Sequence, residues 1–479
     1  MIASFRDPAG RVIAVDGRIL RLVDQGGGSD LAAFLASPAA QELIGTGQVV
    51  ATRVLDERER AAVRADPRLA EAARGAAQIL EHERLLFPSY PYEWPPEMLL
   101  EAGRLTLDLA ERLLGAGLGL KDATPYNVLF RGPRPTFIDV LSFERRDPLD
   151  ATWLPYAQFV RTFVLPLLVN RHFHITLRQV FEPARDGLEP EAVYRLCGPL
   201  QRLRPPFLTL ATLPTWLAAR SRSAESEAAT YRPRLARSPE QARFILHYQL
   251  RRLRRVLGRV APPARRPSPW SDYATAEARR PEMAAKAALV DEVMRELRPL
   301  SVLDVGCNTG YLAARAARAG ARVVAIDSDP VVVGKAWRDA AADGWDVLPL
   351  VVDLTRPSPA IGWRNQECPS FLDRARQGGG FDAVFLFAVI HHMLVTERVP
   401  LPEILALTAE LTAPGGHVIA EFIPPDDSLF RKLTRGRDAL FADVTAEGFE
   451  RAAARSFTPL RSTPVPGTGR RLYLLRKTG

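Results

Sequence analysis

The spacing of apolar positions changes along the chain, and each change predicts a different kind of element. From Arg11 to Val23 apolar and polar residues alternate as in a strand hairpin, and Val49 to Leu55 offers one more short strand. The interval then becomes helical. Leu99, Leu100, Leu105, Leu107, Leu109, Leu113 and Leu114 mark a helix over Leu99 to Leu114, and Tyr156 to Val169 and Ala242 to Leu257 read as further helices. The proline-rich stretch from Ala261 to Pro269 suits neither helix nor strand and reads as a linker. Past it come short, nearly continuous apolar runs: Val302 to Val305, Arg322 to Asp327, Val347 to Val352 and Phe381 to Phe387. Such runs suit parallel strands buried on both faces. The pattern predicts a mostly helical module over 1–260, a linker over 261–274 and an α/β doubly wound domain over 275–479, with no internal repeat.

Gly306 and Gly310 follow the first apolar run and free the backbone for a tight turn into a helix from about Tyr311 to Ala319. Helix-start amides favour an anionic or polar group above the turn. Asp327 stands about 20 residues beyond Gly306 at the end of the second run, where a carboxylate suits a ribose diol. The glycine spacing is not the Gly-x-Gly-x-x-Gly of dinucleotide sites. Instead, Asp304-x-Gly306-x-x-x-Gly310 with Asp327 resembles the cofactor motif of class I S-adenosylmethionine-dependent methyltransferases. The resemblance continues through Asp353 after the third run, Phe387 ending the fourth, Pro414-Gly-Gly416 before His417 to Glu421, and Arg471 to Leu475 as a final antiparallel strand. It implies a seven-stranded Rossmann-like sheet. It also implies S-adenosyl-L-methionine as cofactor, S-adenosyl-L-homocysteine as product, and cofactor contacts from Asp304, Gly306, Asn308, Gly310, Asp327, Asp353 and Phe387.

Acceptor chemistry is sought where the fourth run ends, since ligands of doubly wound folds sit at the carboxyl edge of the sheet. His391 and His392 stand there as candidate bases, with one expected to face the cleft and the other to turn away. The long segment from Thr355 to Gly380 suggests a lid carrying Trp363 and Asn365. Glu421, with Asp426 and Asp427, is expected on the same rim, either to receive a cationic acceptor or to cap the next helix. The Asn/Asp-Pro-Pro-Tyr/Phe motif of many macromolecular amino-group methyltransferases is absent, as are paired catalytic cysteines. The expected acceptor is an oxygen or nitrogen of a small metabolite, with macromolecular methylation kept as an open alternative.

In the first half, Leu120 to Phe130 and Pro135 to Val140 resemble the catalytic and metal-binding loops of the protein-kinase-like fold, especially small-molecule phosphotransferases. The resemblance rests on Asp122, Asn127 and Asp139 at that family's spacing. No lysine precedes Lys121 to anchor phosphates, Arg53 being the nearest substitute, and no glycine-rich phosphate loop is present. The module is expected to be a degenerate relative that docks substrate or shapes the methyltransferase mouth. A bifunctional methyltransferase and phosphotransferase, and a cofactor-binding pseudoenzyme acting as an interaction protein, are the competing readings.

Charge changes this picture little. The net charge is +9, yet only five of the 64 basic residues are lysine, so arginine abundance reads as a compositional bias and argues against nucleic acid as partner. Arg251 to Arg259 reads as the solvated face of a helix. Cys197, Cys307 and Cys368 form neither a metal pattern nor a disulfide framework, and His172 and His174 lack companions for a metal. No apolar stretch approaches the roughly 20 residues of a bilayer span, so no membrane is expected and the chain reads as cytoplasmic; the abundance of Ala, Arg and Pro suits a GC-rich genome, and the enzyme is expected to be bacterial.

Overall fold

A computed structural model describes residues 7–220, 235–264, 268 and 281–478. Most of the linker expected over 261–274 therefore lies outside the described residues. The chain opens with β1 (Gly10–Val15) and β2 (Arg18–Val23), antiparallel, with Gly10 opposite Val23. Asp16 and Gly17 make the two-residue turn at φ 48° and 79°, the left-handed pair that follows the twist of hairpin strands. With β3 (Thr52–Val54) and β4 (Gln78–His82) they form a sheet in the order β1-β2-β4-β3. The expected leucine-rich helix spans Pro96–Gly115. Two ribbons follow, β5 (Leu118–Leu120) with β8 (Phe143–Arg145) and β6 (Val128–Arg131) with β7 (Arg134–Phe137). The expectation of a mostly helical module misses these ribbons, because three or four residues are too few to display an alternation.

The helix expected from Tyr156 to Val169 extends to Phe173 and widens into a π turn over Val160–Val164. Pro166 sits just beyond and has no amide hydrogen to return to the preceding turn. Helix Pro239–Arg259 buries Leu246, Leu250, Leu253 and Leu257 and turns Arg251, Arg252 and Arg255 outward. No helix among the described residues is long and apolar enough to cross a membrane.

The second half is built on β9 (Ser301–Val305), β10 (Arg322–Asp327), β11 (Val347–Val351), β12 (Phe381–Leu386), β13 (Thr412–Phe422), β14 (Phe457–Pro464) and β15 (Arg471–Lys477). Their order is β11-β10-β9-β12-β13-β15-β14, parallel except that β15 runs antiparallel to both β13 and β14. Strand order reverses between β9 and β12. A doubly wound sheet opens its ligand crevice at such a reversal, above the carboxyl ends of the strands.

The two halves are packed tightly together. The turn Pro91–Glu93 lies against edge strand β11, and helix Pro96–Gly115 lies on helix Pro330–Asp343. Gly334 permits that approach, since a side chain there would collide with the Glu97 carboxylate. Arg338 pairs with Glu97, and the Trp337 indole N–H donates to the Pro133 carbonyl at 3.0 Å. Arg374 and Glu93 form an almost wholly buried ion pair, with the guanidinium over the Phe87 and Tyr90 rings. Removing either partner would strand a buried charge. One apolar cluster runs continuously from Val23 to Leu475, so packing does not divide where the linker was expected.

Candidate functional site

The site begins with the buried strand β9, whose penultimate residue Asp304 is 2% exposed. After Val305 the chain turns sharply, and the amides of Gly306 and Cys307 both donate to the Ile326 carbonyl of β10, at 2.8 and 3.0 Å. Gly306 adopts φ +71°, and a β-carbon there would run into Val389. Only glycine meets both conditions. Gly310, at φ +80°, starts helix Tyr311–Arg318 without itself lining the cavity above.

At the end of β10, the Asp327 carboxylate accepts from the amides of Asn308 and Asp329, each at 3.0 Å. Burial pushes its pKa up. Asp353 follows β11 and accepts from the Thr355 amide at 2.9 Å and hydroxyl at 2.6 Å, with Arg356 at 3.3 Å. Burial would raise its pKa, but these hydrogen bonds and the Arg356 charge prevail and hold it below the usual range. The three acids thus step outward across the sheet from β9 through β10 to β11.

Above them lies a cavity of about 740 Å³, lined by Asp304, Gly306, Asn308, Asp327, Asp353, Phe387, His391 and His392 among others. Three buried polar atoms in its lining have no hydrogen-bond partner among the described residues: Asp304 Oδ2, Asn308 Oδ1 and His391 Nδ1. Buried polar groups are ordinarily paired, so these atoms mark where a ligand would bond. Burial and the neighbouring Asp327 charge push the Asp304 pKa up to about 7. An uncompensated carboxyl beside a second acid suits a ligand that brings a positive charge and hydroxyl donors. S-adenosylmethionine, with an ammonium, a sulfonium and a ribose diol, fits this donor set.

Along the same cavity, helix Ile390–Val395 carries the two histidines with ring centroids 4.3 Å apart. Both line the cavity, which corrects the expectation that one would turn away. His391 is buried, and that burial, followed by the charges of His392 and Arg470, lowers its pKa to about 3. It is a neutral imidazole at physiological pH.

The expected rim acid Glu421 is instead 1% exposed, beneath the site and outside its lining. Its carboxylate accepts from the Ala388 amide at 2.8 Å and pairs with Lys286 at 2.8 Å and Arg470 at 3.3 Å. Ala388 has φ +51°, and Glu421 braces it at the exit of β12. Asp427 pairs with Arg470 at 2.8 Å, whereas Asp426 is exposed. Nothing in the local sequence announces Lys286 or Arg470, which arrive from a distant helix and from just before β15.

The expected lid also behaves differently. Trp363 is 64% exposed, and neither it nor Asn365 lines the cavity. Between Thr355 and Gly380 the chain fastens the two halves: Glu367 pairs with Arg185 at 2.6 Å, and Arg374 with Glu93. It is a strap in this structure.

In the first half, the Asp122 carboxylate accepts from the Gln158 amide at 3.2 Å, and the Asn127 side-chain nitrogen is buried without a partner. Asp139 is held by Arg21 of β2 at 2.6 Å. Arg53 is engaged with Glu59 and Glu81 at the surface, whereas Arg21 pairs with Asp139.

Residues 245–459 match the family model described as a methyltransferase domain. Sheet order, glycine turn and acid series agree with that match, and the protein is a class I S-adenosylmethionine-dependent methyltransferase with S-adenosylmethionine as its cofactor. The chain belongs to the family of nodulation protein NoeA: it is 30% identical to that protein from Rhizobium meliloti (strain 1021) over 479 residues, covering 99% of this chain and 95% of the relative. A tRNA U34 carboxymethyltransferase from Alcanivorax borkumensis is 29% identical over 154 residues, 32% of this chain and 41% of that protein. Among solved structures, the N-methyltransferase NodS from Bradyrhizobium japonicum WM9 overlaps 42% of this chain and 99% of its own, at 16% identity and a TM-score of 0.32.

Proposed function

We propose that the protein methylates an oxygen or nitrogen of a small metabolite, and that its N-terminal region is a degenerate kinase-like module that shapes or docks the substrate. The observation that carries this reading is His391, whose buried Nδ1 has no partner and which lines the same cavity as Asp304 and Asp327. At about 740 Å³ the cavity lies within the range of small-molecule sites. Bound there, the cofactor supplies a methyl group already activated by its sulfonium. Asp327 would accept from the ribose hydroxyls and Asp304 would face the ammonium, while Met283, Leu429 and Leu433 give the acceptor end an apolar lining. Neutral His391 would accept the acceptor's O–H or N–H hydrogen bond and orient its lone pair toward the methyl group, and the acceptor's proton would pass on to solvent as positive charge leaves the sulfonium, because an imidazole with a pKa of about 3 does not retain it.

The phosphotransferase reading finds less support. Asp139 is already neutralised by Arg21, where metal-bound phosphate chemistry needs an open carboxylate. Nucleic acid and membrane have no part in the proposed reaction, and the cytoplasm is its proposed setting.

Calorimetric titration of S-adenosylhomocysteine into the wild-type protein and an Asp327→Ala variant tests the cofactor placement. Heat with the former and none with the latter is expected; equal binding overturns it. A metabolite screen reading S-adenosylhomocysteine release then tests the acceptor class, with His391→Gln expected to lower kcat about 100-fold while cofactor affinity holds.

A further inference from the structure

We infer that the purine end of the cofactor site is built by both halves of the chain, with Arg178 of the N-terminal region acting as a positioning residue for the turn that presents Asp353. This inference rests on the cofactor placement proposed above.

A second cavity of about 100 Å³ lies at the seam between the halves. One side is formed by Tyr92, Asn170, Thr176 and Arg178, and the other by Ser328 and Asp353. Ser328 and Asp353 also line the large cavity, so the two spaces share a wall. The order of the acids fixes what meets that wall. A ligand with its amino-acid end over the Gly306 turn and its ribose at Asp327 extends its base toward Asp353, over edge strand β11. An edge strand commonly faces solvent, but this one faces the first half of the chain.

The contact is specific as well as close. Arg178 Nη1 donates to the Arg356 carbonyl at 3.1 Å, while its Nε is held by Glu182 at 2.8 Å. Arg356 closes a turn back onto Asp353 through its amide, 3.0 Å from the Asp353 carbonyl. Arg178 thereby pins the Asp353–Arg356 turn, inside which the Thr355 amide and hydroxyl orient the Asp353 carboxylate. Thr176 caps the helix bearing Arg178, accepting from the Gln179 amide at 3.2 Å. The seam is fastened on either side by Arg338 with Glu97 and by Arg374 with Glu93, so the wall is held at a fixed distance from the sheet. A carboxylate at this point accepts from the exocyclic amine of adenine, and a base bearing a carbonyl there would meet repulsion. A substituent on that amine would be driven into Tyr92, Thr176 and Arg178.

The test uses the full-length protein, with S-adenosylhomocysteine, adenosine and N6-benzyl-S-adenosylhomocysteine titrated calorimetrically and apo melting followed in parallel. Arg178→Ala is expected to weaken S-adenosylhomocysteine and adenosine by the same factor, about fivefold to tenfold, with the apo melting temperature nearly unchanged. Arg178→Lys, which keeps charge and one donor, is expected to recover part of the loss. Wild-type protein is expected to bind the benzylated ligand at least about tenfold more weakly than the parent. Equal binding of the two ligands by wild type, or an Arg178→Ala variant that binds S-adenosylhomocysteine as wild type does, overturns the inference. If Asp327→Ala loses binding while Arg178→Ala keeps it, the cofactor placement stands and the two-part purine site falls; if Asp327→Ala binds normally, the placement itself falls.

Discussion

Asp139 in the first half and Asp304 in the second are both recessed carboxylates presented by the end of an apolar run, yet their surroundings are opposite. Asp139 has Arg21 at 2.6 Å, a cation that arrives with the fold. Among the described residues no cation pairs with Asp304; the charge that acts on it is that of Asp327, another acid, and its pKa rises to about 7. The first half has settled its charge internally and the second leaves charge to be completed by a ligand. A buried acid is thus informative through what does not pair with it.

Breaking the settled pair gives the largest expected effect. Arg21→Ala leaves Asp139 uncompensated and is expected to lower unfolding free energy by about 2–4 kcal/mol in denaturant titrations at neutral pH, with Asp139→Asn in the same background restoring part of it. Asp304→Asn is expected to act with opposite sign on the apo protein. It removes a charge that folding disfavours, so stability at pH 8 rises by roughly 1–3 kcal/mol in the same assay while affinity for S-adenosylhomocysteine falls.

The pH profile sharpens the contrast further. The Asp304 pKa is raised on folding, from 3.8 to about 7, so the stability tied to its protonated form is complete below pH 4 and is lost as pH rises through 7. Pairing with a ligand's ammonium needs the ionised form. Affinity for S-adenosylhomocysteine is therefore expected to improve from pH 6 to 7, by at most about tenfold per unit, and to level off above, with the slope abolished in Asp304→Asn. The smallest effect belongs to the strap: Trp363→Ala is expected to leave cofactor affinity and turnover within about twofold of wild type, as suits an exposed side chain away from the cavity.

The glycine turn after β9 is legible because its signals are local: an apolar strand, glycines where the backbone needs positive φ, and an acid one strand on. Glu421 was misplaced because strand-end acids look alike in sequence; Lys286 and Arg470, which bury it, lie far from it along the chain. Arg21 escaped notice for the same reason, being one basic residue in an alternating hairpin whose partner stands 118 positions away. The loop from Thr355 to Gly380 was read as a lid from its length alone, and length does not say which neighbour a loop touches. Helix-start sterics suggested that His391 and His392 would diverge, but the cavity is wide enough to be lined by both.

The turn Pro91–Glu93 against β11 also bears on how the chain comes to be folded in the cell. Synthesis runs from the amino end, so the segment that shields β11 leaves the ribosome long before that strand does. The open hydrogen-bonding edge of the sheet consequently meets a cover carried on its own polypeptide as it emerges, before it meets the edges of other nascent chains. In the folded chain the first half covers that edge, and a gene fragment encoding the sheet alone is expected to release a product with the edge bare.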